Sequence, residues 1–90
     1  MSSNKNTLVS KAQALGLMSY LTLNTEYQCS MSASRNFVDV SAHCDTLAEV
    51  QDIENIMFKF SVDGCTTTTH HNEDFTHYWV SIEFPSCFTF

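Results

Sequence analysis

From Tyr27 to Cys44 apolar and polar side chains alternate in two consecutive runs, and this period of two constrains the fold more than any other feature of the chain. Tyr27, Cys29, Met31 and Ala33 form one apolar set, Ser34-Arg35-Asn36 supplies turn residues, and Val38, Val40, Ala42 and Cys44 resume the pattern. The pattern predicts a β-hairpin with one face toward a core. Its other face carries Gln28, Ser30, Ser32, Asp39, Ser41 and His43, with Phe37 as the exception, which suits an antiparallel sheet wet on one side.

On the N-terminal side, Leu8, Ala12, Leu15 and Met18 recur at helical spacing behind Asn6 and Thr7, two residues suited to an N-cap. This predicts a helix over residues 7–21, somewhat weakened by Gly16. After the hairpin, Thr46 and Glu49 make a capping-box pair, and Leu47, Val50 and Ile53 share one side of a helix running to about Asn55. Phe58, Phe60 and Val62 then alternate into Asp63-Gly64, predicting a strand and a second hairpin with Cys65-Thr66-Thr67-Thr68-Thr69.

The last segment fits two periods, since Phe75, Tyr78, Trp79 and Ile82 match a helix face while Tyr78, Val80, Ile82 and Phe84 match a strand face. Aromatic and β-branched enrichment from Thr76 to Phe84 favours the strand, which Pro85 ends. Phe88 and Phe90 form an apolar tail that either folds back on the core or sits in an interface. The expected architecture is α+β: two helices packed on one face of a four- or five-stranded, mostly antiparallel sheet, in a single compact domain over residues 1–90.

A chain of 90 residues has room for one core, and with two glycines and one proline it contains no stretch that reads as a linker. Ten acidic against four basic residues give a net charge of −6, a field that repels phosphates and anionic lipid and attracts basic surfaces. No direct nucleic-acid or membrane binding is expected, and a basic protein partner is permitted. Lys11 and Gln13 interrupt the apolar run from Leu8 to Leu23, which is too short and polar to span a bilayer or to serve as a signal peptide. Cys29, Cys44, Cys65 and Cys87 include no C-x-x-C pair, so they read as small core residues of a protein in a reducing cytoplasm.

Chemistry-bearing residues gather at Cys65, His70, His71, Glu73, Asp74 and His77, in a predicted polar loop. Adjacent His70 and His71 would point to opposite faces of a strand, so one ion could take both only if the pleat were broken. His43 beside Cys44 would likewise face the other way from its neighbour. A glycine-rich phosphate loop and a nucleophile elbow are both missing from the sequence. The expectation is a protein without enzymatic activity, cofactor or metal.

Asp45, Glu49 and Asp52 follow at i, i+4 and i+7, an acidic stripe beside the apolar side of the second helix. The helix dipole accounts for the first two and not for Asp52. Tyr20, Phe37, Trp79, Phe88 and Phe90 are the aromatics that the predicted faces leave outside the core. Asp45, Glu49, Asp52, Phe37 and Trp79 are therefore the predicted partner-binding residues.

A leading helix, the hairpin YQCSMSASRNFVDVSAHC, the short acidic helix TLAEVQDIEN and aromatic strands together resemble the small acidic accessory proteins encoded by phages, anti-CRISPR proteins among them. The resemblance spans the whole chain in size, charge and layout. It implies an inhibitor in the host cytoplasm that occupies the surface where a defence complex binds nucleic acid or recruits its nuclease. Two alternatives stay open: a self-associating structural protein whose Phe88 and Phe90 complete a homodimer, and a small metal-binding domain built on the His70 to His77 loop.

Overall fold

A computed structural model describes residues 2–33 and 37–85, with side chains from Lys11 onward. The order of elements is α1 (Ser2–Asn24), β1 (Gln28–Ala33), β2 (Phe37–Cys44), α2 (Leu47–Phe60), β3 (Thr66–His71) and β4 (Tyr78–Pro85). The four strands form one sheet in the order β1-β2-β4-β3, with every neighbouring pair antiparallel. The class is α+β, as the periodicity predicts, with four strands among the described residues.

The alternation that predicts the first hairpin is realised most fully in β2, where Val38, Val40, Ala42 and Cys44 are buried and their neighbours are half-buried. Tyr78, Val80, Ile82 and Phe84 do the same in β4. Those eight side chains join Ala14, Leu17 and Leu21 of α1 and Val50, Ile53, Ile56 and Met57 of α2 in one cluster. β1 is an edge strand, so its Met31 and Ala33 stay exposed although they alternate correctly. The predicted turn at Ser34-Arg35-Asn36 lies outside the described residues.

α1 is longer than predicted and turns a different side inward. Ala14, Leu17 and Leu21 are buried, whereas Ala12 and Leu15 are exposed and Met18 is half-buried. Apolar residues are spread around this helix with almost no net direction, so local spacing could not single out the packed side. Gly16 lies over the Phe60 ring, where a Cβ would sit at 3.4 Å in ordinary van der Waals contact, so α1 meets the end of α2 here without requiring glycine. Gln13 Nε2 completes that contact by donating to the Phe60 carbonyl at 3.2 Å.

The predicted strand over Phe58, Phe60 and Val62 is overturned, and with it the second hairpin. α2 continues to Phe60, leaving Phe58 79% exposed. Three alternating residues match a strand, but Ile53, Ile56, Met57 and Phe60 match the i, i+3, i+4, i+7 helical pattern over a longer span, and burial rewards the longer pattern. Asp63-Gly64 instead turns the chain from α2 into β3. Gly64 adopts φ +90, and a Cβ there would lie 3.2 Å from the Pro85 side chain, so both backbone and space favour glycine. β3 pairs with β4, so the second hairpin runs across residues 72–77.

Candidate functional site

One cross-strand row organises the sheet face opposite the core. The registers set Gln28 of β1 opposite His43 of β2, His43 opposite Trp79 of β4, and Trp79 opposite His70 of β3. Side chains on one face of adjacent strands are direct neighbours, so these rings are forced together. His70 stacks on Trp79 with centroids 5.3 Å apart, and His43 lies 6.1 Å from the same indole. Flanking imidazoles are the reason Trp79 is half-buried on a face without a core.

His77 joins this row from the loop. Asn72 Oδ1 accepts from the backbone N–H groups of Thr76 and His77 at 2.9 and 3.1 Å, and its amide donates to Thr76 Oγ1 at 2.9 Å. The Asn72 N–H donates to the His77 carbonyl at 3.0 Å, and Phe75 closes the turn with φ 55, a strained value for an aromatic residue. The Phe75 ring rests on His71 at 4.1 Å. A loop held this firmly presents His77 at a defined place.

His43 Nδ1 and His77 Nε2 are 3.0 Å apart, and His77 Nδ1 lies 3.6 Å from Asp45 Oδ1. The carboxylate favours a proton on His77 Nδ1, which leaves Nε2 to accept from the His43 Nδ1–H. His43 Nε2 is then left with a lone pair. Chain order hides this constellation, since its members come from the end of β2, the turn before α2 and the second hairpin.

The acidic stripe begins where the row ends. Thr46 caps α2 by accepting from Glu49 N–H at 3.2 Å, and Glu49 Oε1 accepts from Thr46 Oγ1 at 3.1 Å and from the Asp45 N–H at 3.2 Å. The capping-box pair is present, with its carboxylate reaching one residue before the cap. Asp52 Oδ2 accepts from the Tyr27 hydroxyl at 2.8 Å. Burial of the phenol, followed by this bond, pushes the Tyr27 pKa up to about 12.

Two adjoining depressions connect these groups. A cleft of about 220 Å³ is lined by His43, His77, Asp45, Glu49, Tyr27 and Glu26 among others, and a shallower one of about 530 Å³ shares Glu26, Tyr27 and Glu49 and adds Asp52. Among the described residues, no lysine or arginine lies within ion-pair distance of these four carboxylates, and the His77 imidazole, 3.6 Å from Asp45, is the one basic ring within that distance. No family model, curated protein or solved structure matches this chain. The surface alone therefore carries the functional reading.

Of the predicted binding residues, Asp45, Glu49, Asp52 and Trp79 are brought to one end of the molecule. Phe37 is on the same sheet face, six residues along β2 from His43 and opposite Pro85, a separation of about 20 Å at strand rise. Tyr20 packs on Phe60 with centroids 5.8 Å apart, and Phe88 and Phe90 lie outside the described residues. Sequence reasoning put His43 on the wet face and Tyr27 on the apolar one, as found, but missed that His43 meets His77 and Tyr27 meets Asp52, because those partners come from distant elements. His70 and His71 belong to β3 rather than to a loop, and they face opposite sides as the pleat requires. Among the described residues, no group of three or more His, Cys, Asp or Glu is arranged to hold a metal ion, and no helix is long and apolar enough to cross a membrane.

Proposed function

We propose that this chain is a non-enzymatic protein-binding inhibitor that captures an arginine-bearing segment of its partner at the end where the acidic cleft meets the His77-His43-Trp79 row. The observation that supports this most directly is the continuity of four carboxylates, lacking lysine or arginine partners among the described residues, with a row of half-buried rings. A guanidinium pairs with carboxylates in a planar fork, and the apolar stem of an arginine can lie along the neighbouring rings. Asp45, Glu49 and Asp52 bind the charge, and Trp79 with its flanking imidazoles supplies apolar contact. Phe37 contributes only to a partner broad enough to cover the whole sheet face.

Arginine-rich grooves are what nucleic-acid-binding complexes present, and carboxylates standing in for phosphates would occupy such a groove. This supports the phage-inhibitor reading, including action against a host defence complex in the cytoplasm, a compartment that suits the free thiols of Cys29, Cys44 and Cys65. A net charge of −6 is modest, so shape and aromatic contact must add to the field.

The test is a titration of the isotope-labelled protein with an arginine-rich peptide at low salt, followed by nuclear magnetic resonance. Shifts should cluster at Glu26, Tyr27, Asp45, Glu49, Asp52 and Trp79, fade at high salt, and need roughly tenfold more peptide in an Asp45→Asn, Glu49→Gln, Asp52→Asn variant. Shifts spread evenly over the surface, or none, would overturn the reading. A second reading, self-association, draws support from β3, an edge strand with every residue exposed and no proline or acidic residue to block pairing. Light scattering that shows a dimer would favour it.

A further inference from the structure

β3 closes one side of the sheet, paired among the described residues only with β4, and every one of its residues from Thr66 to His71 is exposed. In an antiparallel ladder alternate residues turn their N–H and C=O groups away from the paired neighbour, so about three residues of β3 present backbone donors and acceptors outward. The run of threonines favours extended backbone, and β3 contains no lysine, carboxylate or proline to guard it. β1, at the other edge, is flanked by α1, with Thr22 Oγ1 3.6 Å from Cys29 Sγ. We propose that β3 pairs antiparallel with β3 of a second copy of this chain about a twofold axis, joining the two sheets into one. This rests on the self-association reading and names its surface.

Facing residues of an antiparallel pair share a sheet face, and β3 can meet this condition with itself. Thr66, Thr68 and His70 belong to the face of Trp79, opposite Glu83, Ser81 and Trp79 of β4, whereas Thr67 and Thr69 are on the helical side, opposite the buried Ile82 and Val80. A twofold centred on Thr68 keeps both faces in phase and uses the whole strand. Thr68 then faces the partner's Thr68, Thr66 the partner's His70, and Thr67 the partner's Thr69. Two chains of net charge −6 repel each other, so a strip without carboxylates is where they can approach.

An apolar groove beside the same edge fits the same occupant. Glu54, Phe58, Ser61, Val62, Cys65 and Thr67 line about 410 Å³ between α2 and the start of β3, and Phe58 is 79% exposed there. A twofold perpendicular to the sheet puts both helical layers on one side. With α2 lying mainly over β4, the two α2 helices stand about three strand spacings apart, about 14 Å, against about 8–10 Å for packed helices. The Phe58 side chains extend into that gap, so pairing covers them. The acidic cleft is lined from Glu26, Tyr27 and Gln28 at the β1 side of the sheet, so each copy keeps its own.

One strand pair with one aromatic contact on each side is a small interface, so a dissociation constant of about 1 to 100 µM is expected. Sedimentation equilibrium of the full chain from about 1 to 500 µM reads it. Thr68→Lys and Thr68→Glu each set like charges against each other on the axis, and each alone should weaken the dimer at least tenfold, whereas an equimolar mixture of the two should restore it. Phe58→Ser leaves the single chain stable and should weaken the dimer about tenfold. Ser30→Lys, at an exposed position of β1, should retain wild-type association. Circular dichroism checks the fold of every variant. A monomer at every concentration would overturn this interface and the self-association reading together. A dimer that folded Thr68→Lys preserves, that the mixture fails to restore, or that Ser30→Lys abolishes would overturn this interface alone.

Discussion

Asn72 and His77 close the second hairpin on each other, with the Asn72 N–H donating to the His77 carbonyl at 3.0 Å and Asn72 Oδ1 accepting from the His77 N–H at 3.1 Å. Through this one side chain the loop fixes the distance between His77 and His43. Asn72→Ala should therefore lower stability by about 1 to 2 kcal/mol, the worth of several partly exposed hydrogen bonds. It should also release His77 from His43. Urea unfolding measures the first effect, and imidazole resonances of the two histidines measure the second.

Removing the Thr46 cap should cost about 1 kcal/mol, because Thr46→Ala leaves the Glu49 N–H without its acceptor. Glu49→Gln should cost less in that background than in the wild type, since one reciprocal network contains both groups. A double-mutant cycle by chemical denaturation reads the coupling.

Tyr27 carries a pKa raised to about 12, so its contribution to stability is complete below the ordinary phenol value of about 10 and is lost as pH rises from there through about 12. In an alkaline absorbance titration, the component missing from Tyr27→Phe should titrate near pH 12. A missing component near pH 10 would contradict the burial of the phenol.

Asp39 faces Glu83 directly across β2 and β4, and its Oδ1 is buried without a hydrogen-bond partner. Desolvation, then the Glu83 charge, raises its pKa, so the folded state holds the proton more tightly than the unfolded chain. Stability then falls as pH rises through that raised value, and the ionised carboxylate is a burden at neutral pH. Asp39→Asn should stabilise the protein by about 1 kcal/mol at neutral pH and by progressively less toward acid, measured as melting temperature against pH.

Ile53 has no exposed surface, whereas Phe58 is 79% exposed. Ile53→Ala should cost about 3 kcal/mol by leaving a cavity, and Phe58→Ser should change stability by less than about 0.5 kcal/mol. Thermal unfolding of the two variants separates the observed helix from a strand that buries Phe58.

The elements that could be read correctly from the chain are those whose pattern is long. β2 and β4 alternate over eight residues each, and Tyr78, Val80, Ile82 and Phe84 are buried as the strand period requires. Phe58, Phe60 and Val62 mislead because three alternating positions are too few to outweigh the helical spacing of Ile53, Ile56, Met57 and Phe60. The packed side of α1 was hidden for a related reason, since apolar residues all round a helix leave the choice of side to its neighbours.

By itself the sequence determined the α+β class, the first hairpin, the Thr46 cap and the acidic spacing of Asp45, Glu49 and Asp52, because each depends on residues a few positions apart. Only the tertiary structure decided that β4 lies between β2 and β3, and this order sets His43, Trp79 and His70 in one row. It also decided that His77 and Asp45 meet at the end of that row. Register between distant strands follows from burial of the opposite face, so His43, Trp79 and His70 were placed by a core they do not belong to.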